Sequence, residues 1–405
     1  MPLYVVRWHV GPLPTTLLES LILLTCVLYA LTLWRHRAPL PRRNPYDIPI
    51  AIFLVAGAIA IFIAPDHRAA FGVYRAFLLE PVAIFYVATA VLPSMAEVKP
   101  VLIAAAVSAC ALSLAVIVTF LSVYLEGHLV PSDAPGVFGI NPNAVALYLE
   151  PTAAVALGFF LFAYSSTSRV IAAVVLVFVL PALVCTLSRG ALLAGAVLAL
   201  VAVLSVRDIR LRLGLLAAAV VGALAVSRIP FVAARLAHQL DPHYATLALR
   251  LAIWKVTLRM LSDHPIFGAG ISGYQTVMAH YRTRNLHPEP YAHNIFLTTW
   301  SEVGLIGMLA FTVILFGLMW RAWRSFGSAQ DLSRPLLWGL FAAWVVFVVH
   351  GLVDSPYWKN DLALEFWTLA GLEVVAIATI KRHTKAAPET GPPRDGVSKT
   401  PANYT

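Results

Sequence analysis

Long apolar runs alternate with short polar interruptions along almost the whole chain. The runs fall at about 15–34, 48–64, 73–92, 100–125, 143–164, 170–187, 190–206, 211–228, 295–320, 336–352 and 361–380. Each is close to the ~20 residues an α-helix needs to cross a hydrocarbon core, so the pattern predicts an all-α polytopic membrane protein with about 11–12 transmembrane helices. The two runs that meet at Leu187-Ser188-Arg189 are short and abut. One interruption is long. Residues 229–293 contain "LDPHYATLALRLAIWKVTLRMLSDHP", which predicts a helix with Asp241 as N-cap, Pro242 in the first turn and His264-Pro265 as the stop. Its mixed apolar and basic character suits a helix lying at a membrane surface. "FGAGISGY" then predicts a tight turn. Residues 386–405 are rich in Pro, Gly, Ser and Thr, and a disordered tail is expected there. The organisation is one polytopic domain, 1–385, including the 229–293 segment, followed by that tail.

Composition strengthens this picture. The 405 residues are 60% hydrophobic and 12% charged, against about 25% charged in soluble domains. A net charge of +9 could suggest nucleic acid. The basic residues instead gather in the interruptions: Arg35, Arg37, Arg42 and Arg43; Arg207, Arg210 and Arg212; Arg321, Arg324 and Arg334; Lys381, Arg382 and Lys385. Counted alternately, all four groups fall on one side, which the positive-inside rule makes the cytoplasm. No nucleic-acid partner is expected. The tail is then cytoplasmic, and the N-terminus and the 229–293 segment lie on the opposite, outer side. No cleavage-site pattern precedes the first basic group, so no signal peptide is expected. Cys26, Cys110 and Cys185 lie in apolar runs, with no zinc or disulfide spacing.

Ionisable residues within apolar sequence are costly, and they line cavities or pair with one another. Here they gather in the outer halves of the runs: Arg75, Glu80, Glu150, His350, and Asp354, Asp361 and Glu365 around the last outer loop. Glu373 is the main exception. The distribution predicts a polar cavity open to the outer leaflet, not a relay across the membrane. Arg189, in "LSRGALL", sits at an outer junction. It can snorkel to lipid headgroups or hold a phosphate in its guanidinium fork. Arg250 and Trp254 are one helical turn apart. With Lys255 and Arg259 they make a basic surface that can rest on anionic lipid or share a diphosphate with Arg189. His293 opens the ninth run, and an imidazole of ordinary pKa can act as a base near neutral pH. Glu302 follows nine residues on, a turn of about 900° that puts it opposite His293 if the helix is regular. Gly268-x-Gly270-x-x-Gly273 has dinucleotide-motif spacing, but no strand precedes it. Turn glycines are the expected reading.

Four stretches together resemble the O-antigen ligase and polymerase superfamily of bacterial membrane glycosyltransferases. They are "GVFGINPNAVALYLEP" (136–151), which includes Asn143; "SRGALLAG" (188–195); "RLAIWKVTLRMLSDHPIFGAGISGY" (250–274); and "AHNIFLTTWSEVGLIG" (292–307). The last is similar to the family's H-N-x-x-L-x-x-x-x-E-x-G-x-x-G signature. The similarity runs over about 130–380. It implies a GT-C-like fold with twelve spans and a cytoplasmic N-terminus, whereas the apolar pattern gives eleven and an outer N-terminus. It also implies an essential histidine, His293, and essential arginines, Arg189 and Arg250. The implied donor is a glycan on undecaprenyl diphosphate, and a ligase's acceptor is a hydroxyl of lipid A–core oligosaccharide. The implied location is the bacterial inner membrane, with membrane lipids as neighbours and the site facing the periplasm.

The chemistry expected of these residues is an inverting displacement, with His293 as base and Arg189 and Arg250 stabilising the departing diphosphate. Asn294, Trp254, Asn143 and Arg259 are candidate supporting residues. Asp354 or Glu302 could orient the imidazole, with the helical angle disfavouring Glu302. No DxD-type cluster faces the outer side, so neither metal nor cofactor is expected. Two alternatives stand beside the ligase. One is a polymerase that adds the glycan to a second lipid-linked glycan; Arg259 and Gly270 have a spacing cited for polymerases. The other is a transporter of the lipid-linked glycan, which would want polar groups along the whole path.

Overall fold

The structure is a computed structural model, and it describes residues 3–10, 13–130, 134–234, 246–283 and 286–386. The expected N-cap Asp241, its neighbour Pro242 and the tail beyond residue 386 lie outside the described residues. The chain is helical nearly throughout. The elements are α1 (Leu17–Trp34), α2 (Asp47–Ile63), α3 (His67–Tyr74), α4 (Glu80–Val91), α5 (Met95–Leu125), α6 (Pro142–Phe162), α7 (Ser166–Cys185), α8 (Arg189–Ser205), α9 (Ile209–Arg228), α10 (Thr246–Asp263), α11 (Tyr274–Met278), α12 (Ile295–Phe326), α13 (Ser333–Gly351) and α14 (Asn360–Ala386). A π-helical turn, Arg75–Leu79, joins α3 to α4 into one membrane-length helix. Among the described residues, nine helices are long and apolar enough to cross a membrane, and the shorter apolar helices α2 and α8 accompany them. They stand where the apolar runs predicted spans, and the protein is an all-α, multi-pass membrane protein.

The pattern missed one feature. Before α1, Arg7–Val10 (β1) pairs antiparallel with Leu13–Thr16 (β2). A strand pair this short carries too little periodicity to register in sequence. Thr16 then caps α1 by accepting from the Glu19 backbone N–H.

A helix in lipid can be apolar all round, so its burial tells which faces meet protein. α9 buries no residue, whereas α13 buries most of its length. α13 is the central helix. It packs on α6, α8, α12 and α14, while α12 also packs on α2 and α14 on α4. Small residues set the closest crossing, as expected where lipid tails offer no hydrophobic drive between helices. A Cβ on Gly158 would meet the Pro335 carbonyl and Gly339, and one on Gly339 would meet the Val155 backbone. This contact of α6 with α13 also brings Glu150 beside His350.

Aromatic residues fill the core next to that crossing. Phe53, Phe311, Phe366 and Trp367 surround Tyr357. The Tyr357 hydroxyl donates to the Phe77 carbonyl at 2.8 Å and accepts from Trp367 Nε1 at 3.0 Å. Trp358 Nε1 donates to Thr299 Oγ1 at 3.0 Å. These bonds fix the loop between α13 and α14, which carries Asp354. Several other buried ionisable groups have partners, as hydrocarbon favours. Arg75 bridges Glu19 at 2.9 Å and Glu80 at 2.8 Å, Asn360 donates to Glu19 at 3.0 Å, and Trp344 donates to Glu373 at 2.8 Å.

Candidate active site

The site is built where three pieces meet: the start of α12, the loop after α13, and one face of α10. Asn294 is the N-cap of α12, and its Oδ1 accepts from the backbone N–H groups of Phe296 and Leu297 at 3.0 and 3.1 Å. Its Nδ2 donates to the Leu352 carbonyl at 3.0 Å, so one side chain caps α12 and ties it to the end of α13. Thr298 and Ser355 share a second hydrogen bond across the same junction, at 2.8 Å. His293 precedes the cap in a left-handed conformation, φ 50°. Such a φ is uncommon outside glycine and turns the residue out of the helical path.

The imidazole lies between two carboxylates. Nδ1 is 3.3 Å from Asp354 Oδ1, and Nε2 is 3.1 Å from Glu289 Oε2. A neutral imidazole carries one N–H, so both contacts are hydrogen bonds only if the ring is protonated or one carboxyl holds a proton. Tyr291 lies against the ring, centroids 4.5 Å apart. Asp354 is held in turn: its Oδ1 accepts from the Ser355 N–H at 2.9 Å, and Oδ2 faces Arg250 Nη2 at 3.9 Å. Burial pulls the Arg250 pKa down, and Asp354, Tyr291 and Glu289 oppose it. Burial pushes the Glu289 pKa up, and Arg250 and His287 pull it down. Lys359, on the same loop as Asp354, is lowered by burial.

α10 presents Arg250, Ile253, Trp254, Thr257, Met260 and Leu261 inward, an i, i+3, i+4, i+7 stripe. Trp254 Nε1 donates to the Ala292 carbonyl at 3.1 Å, one residue before His293. Lys255 and Arg259 lie on the exposed face. The basic surface expected from all four residues is therefore divided. Arg259 is nine positions from Arg250, on the far side of the helix, so it does not join this site.

Arg189 begins α8 behind the Ser188 cap, its Nε buried. Next to it, a Cβ on Gly190 would collide with the His350 imidazole. His350 Nδ1 is 2.7 Å from Glu150 Oε1, and the His350 carbonyl accepts from the Asp354 N–H at 2.9 Å. The "Ser-Arg-Gly" turn and the Asp354 loop thus meet through one buried histidine. Asn143 is in the first turn of α6, its N–H bonded to the cap Asn141. The structure records no contact between it and His293.

Glu302 has a different place. Its Oε2 accepts from the Ser272 N–H at 2.6 Å. α12 breaks two residues later at Gly304, φ 74°, and the 265–273 segment lies against the break. Ala269 N–H donates to the Ser301 carbonyl at 2.7 Å, Leu305 N–H to the Ile266 carbonyl at 2.9 Å, and Trp300 Nε1 to the Pro265 carbonyl at 2.7 Å. Backbone groups released by the break are thereby satisfied inside the protein. Gly268 and Gly270 have φ of 67° and 79°, and Gly270 packs on the Ala64 backbone. The glycines are turn and packing residues, as the sequence indicated. Glu302 latches this segment and is not the partner of His293; of the two carboxylates the sequence left open, Asp354 holds the imidazole.

One residue and one pairing were not singled out in sequence. Glu289 could have been found as an acid four residues before His293 in "HPEPYAH". The pairing of Glu150 with His350, 200 residues apart, leaves no local signal. A cavity of about 400 Å³ forms a separate, hydrocarbon-lined slot among α5, α6, α7 and α14, with Tyr148, Asp361 and Glu365 in its wall.

The protein is thus a multi-pass helical bundle with an ionisable cluster at the ends of its central helices. Residues 173–312, from α7 into α12, match the family model described as O-antigen ligase, which supports membership of the O-antigen ligase superfamily. Its function is of the O-antigen ligase and polymerase type, and it is a membrane enzyme like the glycosyltransferases. The matched stretch contains Arg189, Arg250, Glu289 and His293 and ends before His350 and Asp354. No curated protein matches the chain.

Proposed function

We propose that the protein is an O-antigen ligase. It moves a glycan from undecaprenyl diphosphate to a hydroxyl of lipid A–core oligosaccharide, at the periplasmic face of the bacterial inner membrane. The observation that carries this reading is the geometry of His293. It stands outside the regular helix, with Asp354 on Nδ1 and Arg250 within ion-pair range of the same carboxylate. A sugar hydroxyl is a poor nucleophile, and a base must take its proton as it attacks. Asp354 fixes the ring and favours the tautomer whose Nε2 carries the lone pair. The anomeric carbon–oxygen bond then breaks, and prenyl diphosphate leaves with growing charge. Arg250 and Arg189 stabilise that charge most in the transition state, where it is largest. One displacement inverts the anomeric centre. The leaving group is already activated, so the reaction draws on no ATP, and the mechanism uses no metal. The apolar slot among α5, α6, α7 and α14 offers the surroundings a lipid chain needs.

Reconstitution with prenyl-diphosphate glycan tests this reading, offering lipid A–core or a second donor molecule as acceptor. Glycan on the core supports a ligase. A lengthened lipid-linked glycan makes the protein a polymerase, and lipid movement without new bonds makes it a transporter. A His293→Ala variant with full transfer activity would remove His293 as the base. The polymerase spacing draws no support from the geometry, because Arg259 points away from the cluster around His293.

A further inference from the structure

Glu289 stands at the nitrogen the proposed reaction needs. Asp354 occupies Nδ1, which leaves Nε2 to take a proton from the acceptor. The Glu289 carboxyl lies 3.1 Å from that atom, at the distance and place of an incoming hydroxyl, and in its protonated form it can donate to the Nε2 lone pair as that hydroxyl would. The backbone presenting it is stiff. Pro288 and Pro290 flank Glu289, each fixing its own φ and pressing the residue before it into extended conformation. Buried Leu286 and Ala292 anchor the two ends of this stretch, and Tyr291 covers the imidazole ring between them. The side chain is the freer part. It is 22% exposed, so it can rotate toward solvent without moving the chain. Around it stand Arg250 on α10, Asp354 on the loop after α13, and His287 and Tyr291 on its own segment. Arg250 and His287 attract the carboxylate, and Asp354 repels it.

We propose that Glu289 is a specificity-determining plug, holding the acceptor position at His293 Nε2 until a sugar displaces it and so denying that position to water. The inference rests on His293 acting as the base. Without the plug, water at Nε2 gives its proton to the imidazole and its oxygen attacks the anomeric carbon. The bond from that carbon to the diphosphate oxygen breaks, releasing prenyl diphosphate and a free reducing glycan. An acceptor glycan binds through many groups besides the reacting hydroxyl, and those contacts offset the displacement of Glu289. A lone water has no such contacts, so the plug discriminates between nucleophiles of similar reactivity.

The test uses the full-length protein in liposomes with prenyl-diphosphate glycan, with and without lipid A–core. Free glycan and core-linked glycan are counted separately for wild type, Glu289→Ala, Glu289→Gln and His293→Ala. Glu289→Ala is expected to raise the ratio of hydrolysis to transfer about tenfold or more, the worth of one hydrogen bond to a charged group. Glu289→Gln is expected to restore a low ratio, because its amide N–H can donate to the Nε2 lone pair. An unchanged ratio in Glu289→Ala overturns the plug, as does Glu289→Gln leaking as fast as alanine. Glu289→Ser gives the same reading if the alanine variant does not fold. The two ideas separate cleanly. Transfer surviving in His293→Ala removes the base itself. Transfer lost there, with wild-type hydrolysis in Glu289→Ala, removes only the plug.

Discussion

Replacing Asp354 with asparagine keeps the shape of the side chain and removes one charge. Its Oδ2 lies 3.9 Å from Arg250 Nη2, and the two side chains are only 3% and 15% exposed. At an effective dielectric constant of ~20, that separation corresponds to about 4 kcal/mol of attraction. Glu289 also faces Arg250 and compensates in part. The expected loss of stability is therefore about 3 kcal/mol, the lower end of the range for breaking a buried pair. Catalysis should suffer more. A carboxylate can only accept from Nδ1–H, whereas an amide can also donate and so stabilise the tautomer with its proton on Nε2. That tautomer cannot serve as base, and turnover should fall about 10²–10⁴-fold with a smaller change in donor KM. Thermal melting in detergent and initial rates in liposomes measure the two effects. Adding Arg250→Met should restore stability to the asparagine variant by removing the unpaired charge, while turnover stays low because the wrong tautomer persists and a diphosphate-binding arginine is lost as well. Wild-type melting in Asp354→Asn would refute the ion pair. Wild-type turnover would refute the orienting role.

Three further outcomes follow from other contacts. Gly190→Ala drives a Cβ into the His350 imidazole, so it should cost about 1–3 kcal/mol and weaken donor binding more than acceptor binding through displacement of Arg189; an unchanged melting temperature would refute the close packing. Burial raises the Glu289 pKa, so the folded protein holds that proton more tightly than the unfolded chain does. This stabilising contribution is full below the ordinary carboxylate pKa of about 4.3 and is lost as pH rises through the raised value. Glu289→Gln removes it, so wild type should lose stability relative to the variant across that window, and parallel melting curves would contradict the shift. Transfer should persist in EDTA; loss of activity reversed by a divalent cation would end the metal-free mechanism.

The spans were legible because each apolar run had to match a bilayer's thickness. Among the described residues, eleven apolar helices stand in the order of the eleven runs, nine of them long enough to cross, and α10 ends at the expected stop, His264-Pro265. What the pattern could not carry was a break inside a run. The π turn at Arg75–Leu79 and the break at Gly304 both lie inside runs that are apolar overall and carry no turn signal. The N-terminal hairpin was hidden for a similar reason, since four-residue strands offer only two alternations. In the site, His293 was visible at the head of an apolar run, and Arg250 and Trp254 one turn apart on the helix of the long interruption; the three converge in the structure. Arg259 was grouped with them by proximity in sequence, and the helical angle separates it. The choice between Asp354 and Glu302 needed coordinates. It depends on where a loop 61 residues from His293 comes to rest.

The break at Gly304 also has a mechanical consequence. A continuous helix tilts as a rigid lever when a bilayer is thicker or thinner than its apolar length, and its tip sweeps sideways. α12 is two levers. The lower one, below Gly304, can tilt with the helices it packs on, α2 and α13, without carrying the upper one rigidly along. The upper one is bolted by Glu302, Ser301 and Trp300 to the 265–273 segment and by Asn294 and Thr298 to the end of α13. His293 stands at the tip of that upper piece, insulated from the deformations of the membrane its substrates diffuse through.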